Sequence, residues 1–283
     1  MISPLAQSRR PLDADAVTAR LAGRWLVDAV AETGSTNADL LAAAATGAPA
    51  GTVLVAELQS GGRGRLGRSW VSPAGAGLTF SVLLRPVPPV PAWGWLPLLT
   101  GLALARTLGS AARLKWPNDV LLGPDGKKVA GVLVQSGAAQ SGAAQPGSGQ
   151  PGSEQSGSDA VVVGVGLNVS TEQAELPVET ATSLLLEGHR ESDRGELLVG
   201  FLSRFDGLYT AWQAHGGDAR ASGLAGGYRA VCATLGVEVS VELTGHTLTG
   251  RAVDVDDSGR LLVRPTGGGT PVAVAAGDVT HVR

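Results

Sequence analysis

Residues 52–70 read TVLVAELQSGGRGRLGRSW, an apolar stretch that runs directly into a loop of glycines and arginines. The apolar part, Thr52–Leu58, predicts a strand. The loop from Gly62 to Gly67 matches G-x-G-x-x-G, but dinucleotide-binding folds begin a helix directly after that loop, because the helix N-terminus holds the pyrophosphate. Here the chain continues as RSWVSP, which cannot start a helix, and no G-x-x-x-x-G-K-[ST] loop occurs. The sequence therefore excludes the Rossmann and P-loop folds.

Three cations lie in this loop, at Arg63, Arg65 and Arg68. The glycines between them let the backbone approach a ligand closely, and guanidinium groups offer forked donors that suit phosphate or carboxylate. The cations repel one another until an anion binds, so we expect the loop to become ordered with its ligand. A solvated basic loop is the alternative, and the loop alone does not decide between the two.

A second polar cluster, Lys115-Trp116-Pro117-Asn118-Asp119, ends a predicted strand. Pro117 keeps Trp116 out of helical geometry, so the lysine and the indole should leave the strand toward opposite sides. A third pattern, GVGLNV at 164–169, places glycines in a buried strand, which indicates close approach by a ligand or a neighbouring chain. The alternative for residues 115–119 is a strand end with only a structural role. The alternative for residues 164–169 is a simple bulge.

The remaining pattern predicts a mixed α/β (α+β) chain. Residues 13–22 predict a short helix, and Thr36 and Asp39 have capping-box spacing, which would place residues 35–37 at the N-terminus of a second helix. Apolar periodicity predicts a buried helix over 96–108 and a long amphipathic helix over 197–212. Predicted strands are 25–32, 52–58, 78–84, 113–116, 128–135 and 161–169, with a turn at 123–126.

Two further segments define the domain organisation. Residues 136–155 read SGAAQ, SGAAQ, PGSGQ and PGSEQ, which are too small and polar to bury surface, so we predict a flexible, disordered low-complexity insertion over 136–158. The last part of the chain predicts a small β-barrel, and the predicted domains are 1–227 and 228–283. The barrel strands are Val237–Leu243, Thr247–Val255, Leu261–Arg264, Val272–Ala275 and Val279–Val282, with turns that include Thr244-Gly245.

Composition narrows the class of protein. The chain has 283 residues, a net charge of −3 and one cysteine, Cys232, so a disulfide framework is excluded and a reducing compartment, the cytoplasm, is favoured. The N-terminus contains no apolar signal segment, and the most apolar run, 93–105, is too short to span a bilayer. The net charge argues against a surface that tracks nucleic acid. The four histidines lack metal-ligand spacing, so no metal site is predicted.

Taken together, the motifs resemble those of the biotin–protein ligase family. STN, Q-x-x-GRGR-x-GR-x-W, KWPNDV, K-x-AG-x-L and G-x-GLNV occur in the family's order and cover nearly the whole chain. The resemblance implies a mixed-sheet catalytic domain similar to that of class II aminoacyl-tRNA synthetases, followed by a C-terminal SH3-like β-barrel. It departs from the family at Gln135, where many members have glutamate, and in the pentapeptide insertion.

The resemblance also implies which residues form the site. Lys115, Arg65 and Arg68 would be the catalytic cations. The biotin site would comprise Ser35, Thr36, Asn37, Gln59, Arg63, Gly64, Arg65 and Lys115. The site for ATP or its adenylate would comprise Arg65, Arg68, Trp70, Asn118, Lys128 and Asn168.

The implied activity is a two-step ligation. The carboxylate of biotin attacks the α-phosphate of ATP to give biotinyl-5′-adenylate and pyrophosphate, and a lysine of a biotin carboxyl-carrier domain then displaces AMP. That carrier would belong to an acyl-CoA or pyruvate carboxylase. Mg²⁺ would be held mainly through the phosphates, and no DNA or membrane partner is expected. The sequence leaves the oligomeric state open, with a weak homodimer among the options.

Three other functions fit the sequence less well. A lipoate or octanoate ligase shares the fold, but GRGR-x-GR-x-W with KWPND favours biotin. A DNA-binding biotin sensor would carry a helix-turn-helix domain before STN, and the 34 residues before Ser35 are too few for that domain. A non-catalytic binding module centred on the barrel would leave the arginine loop and Lys115 without a role.

Overall fold

The computed structural model describes residues 9–137, 160–189, 192–243, 246–275 and 277–282. The predicted insertion lies outside the described residues apart from Ser136 and Gly137, and the predicted turn at Thr244-Gly245 also lies outside them. Ser136 is the last residue of a strand and pairs with Val161. The regular structure therefore continues one residue further than the sequence predicted.

The helices follow the predicted order, with one addition. The described α-helices are α1 (Ala14–Arg20), α2 (Thr36–Ala45), α3 (Leu96–Leu108), α4 (Arg194–Ala214) and α5 (Leu224–Val231). The Asp13 side chain caps α1 by accepting from Ala16 N, and α3 ends at Gly109, whose φ of 93° is readily adopted only by glycine. The sequence pattern did not predict the helix α5, because its eight residues include two glycines and have only a short apolar pattern.

As predicted, a mixed sheet forms the centre of the N-terminal part, with seven strands. Its strands lie in the order β1-β2-β3-β7-β6-β5-β4, and only β1 and β2 pair in parallel. The strands are β1 (Leu26–Thr33), β2 (Thr52–Gln59), β3 (Gly77–Leu84), β4 (Arg113–Lys115), β5 (Asp119–Leu122), β6 (Lys127–Ser136) and β7 (Val161–Asn168). The strand β5 was not predicted separately. It places the KWPND cluster in the turn between two antiparallel strands.

Helices cover both faces of this sheet. Alternate residues of the central strands, such as Val53, Val82 and Val163, face the large core that contains α3 and α4, where Phe80 meets Phe201 edge to face at 5.1 Å between ring centroids. The intervening residues of the same strands pack against α2 in a smaller apolar cluster. Burial of both faces accounts for the nearly continuous apolar runs of β3 and β7.

The C-terminal part is a five-stranded antiparallel sheet, which confirms the predicted small β domain. Its strand order is β11-β10-β9-β8-β12. The strands are β8 (Glu238–Leu243), β9 (His246–Val255), β10 (Leu261–Pro265), β11 (Val272–Val274) and β12 (Asp278–His281). Inward residues such as Val239, Val241 and Ala252 are fully buried, as expected for strands with one face against a core.

The two parts share one continuous core. Buried residues of the C-terminal sheet belong to the same apolar cluster as α3 and the central strands. Trp95, immediately before α3, donates its indole N–H to the carbonyl of Asp257 at 3.0 Å, and Arg229 of α5 pairs with Asp254 of β9. The predicted division between residues 227 and 228 falls inside α5 and stays a prediction.

Among the described residues, no helix is both long and apolar enough to cross a membrane. Within the same ranges, no cluster of three or more histidine, cysteine, aspartate or glutamate side chains could hold a metal ion.

Deleting residues 138–156 should leave the fold intact. The backbone N–H of Gly137 already donates to the carbonyl of Ala160 at 2.9 Å, so the ends to be joined lie beside each other. The deletion leaves Gly-Ser-Asp as the connection. The free energy of loop closure changes by only about 0.6 kcal/mol per doubling of loop length. We therefore expect the free energy of unfolding, measured by urea titration, to stay within about 1 kcal/mol of the parent and to rise slightly.

The control for this deletion is the parent chain taken through the same titration, with far-UV circular dichroism recorded for both. A loss of several kcal/mol, or a changed spectrum, would show that the inserted segment supports the sheet.

Candidate functional site

One cleft collects almost all of the residues that the sequence singled out. It lies where the N-terminus of α2, the arginine loop and the KWPND turn meet the surface of β6 and β7. The predicted residues that line it are Ser35, Thr36, Asn37, Gln59, Arg63, Gly64, Arg65, Arg68, Trp70, Lys115, Asn118 and Lys128. Asn168 is not among the lining residues. It is buried at the end of β7, where its Nδ2 donates to the carbonyl of Thr182 at 2.9 Å.

Glycines form the floor of the cleft. Side chains from other segments lie directly against β6 and β7 there and leave no space for a Cβ. Gly131 and Gly166 face each other across the β6–β7 pair. A Cβ at Gly166 would lie 2.3 Å from Cε2 of Trp70, and one at Gly164 would lie 2.2 Å from Oδ1 of Asn37. The glycine pattern in β7 therefore reflects close approach rather than a bulge, and the β6–β7 pairing continues through it without a register shift.

A buried polar network forms one end of the cleft. Gln59 Oε1 accepts from both the backbone N–H and the hydroxyl of Thr36, at 2.8 and 3.0 Å. Ser81, which the sequence analysis missed, lies 2.7 Å from the Thr36 hydroxyl and donates to Oδ1 of Asn37 at 2.6 Å. Asn37 Nδ2 in turn donates to Oε1 of Gln135 at 2.8 Å. Gln135 thus supplies the acceptor oxygen that a glutamate would supply.

The predicted capping box at the start of α2 does not form. The helix begins at Thr36 with Ser35 as its N-cap, but the Ser35 side chain makes no capping hydrogen bond, and the Thr36 N–H donates to Gln59 instead. The Thr36 hydroxyl lies within the cleft network, and Asp39 accepts from the hydroxyl of Thr33. The helix start therefore leaves polar groups directed toward the cleft instead of satisfying them locally.

The arginine loop is a compact turn with its own backbone hydrogen bonds. Trp70 N donates to the Gly62 carbonyl at 2.9 Å, and Gly64 N donates to the Arg68 carbonyl at 2.6 Å. Leu66 at the tip has φ of 56° and is 67% exposed. Arg65 Nη1 reaches across to Oδ1 of Asn118 at 3.2 Å, so this guanidinium lies between the loop and the KWPND turn.

The KWPND turn contributes Lys115 at the end of β4. Its neighbours Leu114 and Trp116 are buried in the core, and alternation along a strand directs Lys115 to the opposite side, toward the cleft. Asn118 is fixed by β6, because its Nδ2 and its carbonyl both bond to the backbone of Val132, at 3.1 and 2.9 Å. The predicted divergence of lysine and indole at this strand end is what the structure shows.

Lys128 and Trp70 form the opposite wall. Lys128 Nζ lies 2.6 Å from Oδ1 of Asp119 and 5.8 Å from the Trp70 ring centroid. Trp70 Nε1 is buried without a hydrogen-bond partner among the described residues, although buried indole N–H groups usually have one. With Lys115 and the loop arginines, this wall surrounds the cleft with cations, an arrangement suited to a phosphorylated ligand.

The C-terminal sheet also reaches the cleft. Gly277, just before β12, and Val279, within it, line the cleft together with residues of the N-terminal part. No signal in the sequence indicated this, because the two residues lie more than 100 positions from the other lining segments. The site is therefore built by both parts of the chain.

Comparisons with known proteins agree with this geometry. Residues 32–146 match the biotin/lipoate A/B protein ligase family, and residues 234–282 match the biotin protein ligase C-terminal domain. The biotin–[acetyl-CoA-carboxylase] ligase of Mycobacterium tuberculosis is 41% identical over 97% of each chain. The chain belongs to the biotin protein ligase family.

Structural and more distant relatives extend the match. The biotin protein ligase from Aquifex aeolicus in complex with biotin and ATP is 28% identical, with a TM-score of 0.67 over 90% of this chain and 99% of that one. The bifunctional ligase/repressor of Bacillus subtilis is 29% identical over 78% of this chain and 64% of its own length. The catalytic fold predicted from the motifs is thereby confirmed.

Replacing Gly166 with alanine should displace Trp70 from the floor of the cleft. The new Cβ would overlap the indole by more than 1 Å relative to ordinary contact, and the loop that carries Trp70 can move while β7 cannot. We expect red-shifted tryptophan emission with a loss of no more than about 1–3 kcal/mol in unfolding free energy.

Gly226→Ala is the matched control for this change. Gly226 lies within α5 and has open space where its Cβ would be, so the substitution should stabilise the chain by about 0.5–1 kcal/mol without changing the emission. Unchanged emission in Gly166→Ala would mean that Trp70 does not lie on the floor.

Proposed function

We propose that this protein activates biotin with ATP and transfers it to a lysine of a carrier protein. The observation that supports this most directly is the meeting of Lys115, Arg65 and Asn118 at one end of a cleft whose other end is the Thr36–Gln59–Asn37 network. The cationic end suits phosphates, and the uncharged polar end suits the ureido ring of biotin. Relatives of this chain are named biotin–[acetyl-CoA-carboxylase] ligases.

The first step makes a carboxylate reactive. A carboxylate oxygen of biotin attacks the α-phosphorus of ATP, the bond to the β-phosphate oxygen breaks, and pyrophosphate leaves with the electron pair. Negative charge develops on the phosphoryl oxygens, so preorganised cations are the main source of rate. Lys115 suits this role because it belongs to the cationic end of the cleft, where it would contact both the carboxylate and the α-phosphate. Arg65 and Arg68 would neutralise the remaining phosphates.

The second step uses the mixed anhydride. The uncharged amine of the acceptor lysine attacks the acyl carbon, AMP leaves, and the nitrogen loses a proton as the amide forms. No covalent link to the enzyme is needed. The cleft must therefore retain the adenylate between the two steps, and the arginine loop is placed to cover it because Arg65 already reaches Asn118 on the opposite side.

The remaining site residues have separable roles. Ser35, Thr36, Asn37 and Gln59 would bind the ureido group, with Arg63 and Gly64 closing that end. Trp70, whose indole N–H has no hydrogen-bond partner in the described part of the chain, and Lys128 would bind the nucleotide beside Asn118. Asn168 would act from the end of β7, since its side chain bonds to the carbonyl of Thr182 rather than lining the cleft.

Mg²⁺ would enter with the nucleotide. The one carboxylate that lines the cleft in the described part of the chain is Asp119, and it is already paired with Lys128. This donor set fits an ion held mainly through substrate phosphates, as is usual for Mg²⁺. We also propose that the acceptor is the biotin carboxyl-carrier domain of a carboxylase and that the protein works in the cytoplasm, which the single cysteine favours.

Incubation of the protein with a carrier domain, biotin and ATP tests the proposal directly. Mass spectrometry should show one biotinyl addition to the carrier, on lysine. A parallel incubation with lipoate should show none. Addition of lipoate at a comparable rate, or no transfer of biotin, would contradict the proposed function.

Lys115→Ala should abolish adenylate formation without unfolding the chain. The side chain lies on the cleft side of β4 and not in the core, so the variant should keep the parental melting temperature. Each charge-assisted hydrogen bond to the transition state lowers its free energy by roughly 1.5–3 kcal/mol. This lysine is expected to make two such bonds, and the variant loses both. The measurement is the rate of biotin-dependent pyrophosphate release.

Lys127→Ala is the matched control, since Lys127 is a lysine of β6 that does not line the cleft. It should release pyrophosphate at the parental rate. Release by Lys115→Ala at that same rate would remove Lys115 from the mechanism.

Arg65→Gly should keep some adenylate synthesis but release the product. Lys115 and Arg68 remain in this variant, whereas the contact with Asn118 across the cleft is lost. One charge-assisted contact of roughly 1.5–3 kcal/mol corresponds to release that is about ten- to a hundred-fold faster. With biotin, ATP and albumin present, biotin should appear on albumin lysines well above the parental level.

Arg65→Lys, which keeps the charge but not the forked geometry, should give an intermediate level of albumin labelling. If Arg65→Gly makes adenylate and labels albumin no more than the parent does, the loop does not retain the intermediate.

A further inference from the structure

The backbone on both sides of Lys115 is hydrogen-bonded to a segment outside the catalytic motifs. The carbonyl of Leu114 accepts from Ala233 N at 2.7 Å, and Trp116 N donates to the hydroxyl oxygen of Thr234 at 2.9 Å. Residue 114 also forms a parallel bridge with Cys232. The segment 232–234 joins α5 to the C-terminal sheet, so this connection contacts the residue before and the residue after the lysine.

The Thr234 hydroxyl has a second partner on β12. His281 Nε2 lies 3.1 Å from Thr234 Oγ1. Because the threonine oxygen accepts from Trp116, its own proton is available to a neutral imidazole nitrogen. Burial, and then the charge of Lys115, lower the pKa of His281, which favours the neutral form. The bonds therefore run from His281 through Thr234 to the backbone beside Lys115.

Burial makes these bonds consequential. Thr234 is fully buried and Trp116 is 1% exposed, so water cannot replace a lost partner at low cost. The Trp116 side chain also bonds to the C-terminal sheet, since its Nε1 donates to the carbonyl of Gly259, between β9 and β10, at 3.0 Å. Movement of the C-terminal sheet would therefore move the end of β4 that carries Lys115.

We propose that Thr234 and His281 are positioning residues that hold Lys115 in its reactive orientation. The inference rests on the proposed role of Lys115 in adenylation. Neither residue lines the cleft, so both act through the backbone of Trp116. Reacting groups lose rate steeply when they are displaced, on the order of a hundred-fold for about 1 Å. A small shift of the strand end should thus reduce kcat much more than it reduces stability.

The first test compares Thr234→Val with Thr234→Ser. Valine keeps the shape but removes the hydroxyl, whereas serine keeps it. We expect Thr234→Val to reduce kcat for pyrophosphate release by about ten-fold or more and Thr234→Ser to remain near the parent. Thr247→Val is the matched control, because Thr247 lies in the C-terminal sheet and its hydroxyl bonds to the exposed Glu242. It should not change kcat.

The second test is a double-substitution cycle on biotin affinity, measured by calorimetry in the Lys115→Ala background. Thr234→Val should weaken binding in the parent but have no further effect once Lys115 is absent, because the two act on one contact. Equal weakening in both backgrounds, or kcat within two-fold of the parent, would overturn the positioning role.

Two additional arms keep the outcomes distinct. If Thr234→Val does not fold, His281→Ala and His281→Gln replace the valine and serine variants, with loss of kcat expected in the first and recovery in the second. Equal kcat for these two would overturn the proposal. Pyrophosphate release by Lys115→Ala at the parental rate would instead overturn the proposed role of Lys115, while inactivity there with a parental Thr234→Val would overturn only the positioning role.

Discussion

The antiparallel pairing of β6 with β7 is the constraint on which the site depends. This pairing places Gly131 opposite Gly166 and Leu133 opposite Gly164, which leaves a strip of sheet where three of the four positions have no side chain. Trp70 and Asn37 lie on that strip at distances that a Cβ would forbid. The large core fixes the register of β7, because a shift by one residue would turn the core residues Val163 and Val165 toward the cleft and the glycines toward the core.

Around this floor, the cleft combines groups of opposite electrostatic character. The Thr36–Gln59–Asn37 network is uncharged and largely satisfied internally, which gives a rigid surface for a neutral ring. The other end carries the loop arginines and the lysines. A molecule with a neutral head and a phosphorylated tail matches this gradient in only one orientation, so the cleft orients its ligand as well as binding it.

The C-terminal sheet belongs to the site as much as the catalytic part does. Its Gly277 and Val279 line the cleft, and indole N–H groups of Trp95 and Trp116 hold the turn between β9 and β10. Because these bonds and the shared apolar core are buried, the two parts are coupled over a short distance. Removal of either part would expose apolar surface on the other.

The sequence by itself determined the mixed fold class, most helices and strands, and the identity of most residues of the cleft. It could do so because β-strand and helix periodicities are local and because the GRGR-x-GR-x-W and KWPND motifs are specific. The tertiary structure alone decided that Ser81 and Gln135 complete the polar network, that Asn168 bonds to Thr182 instead of lining the cleft, and that β12 forms a wall. These facts depend on contacts between residues far apart in the chain, such as Thr234 and His281, and no local pattern records which distant segments pack together.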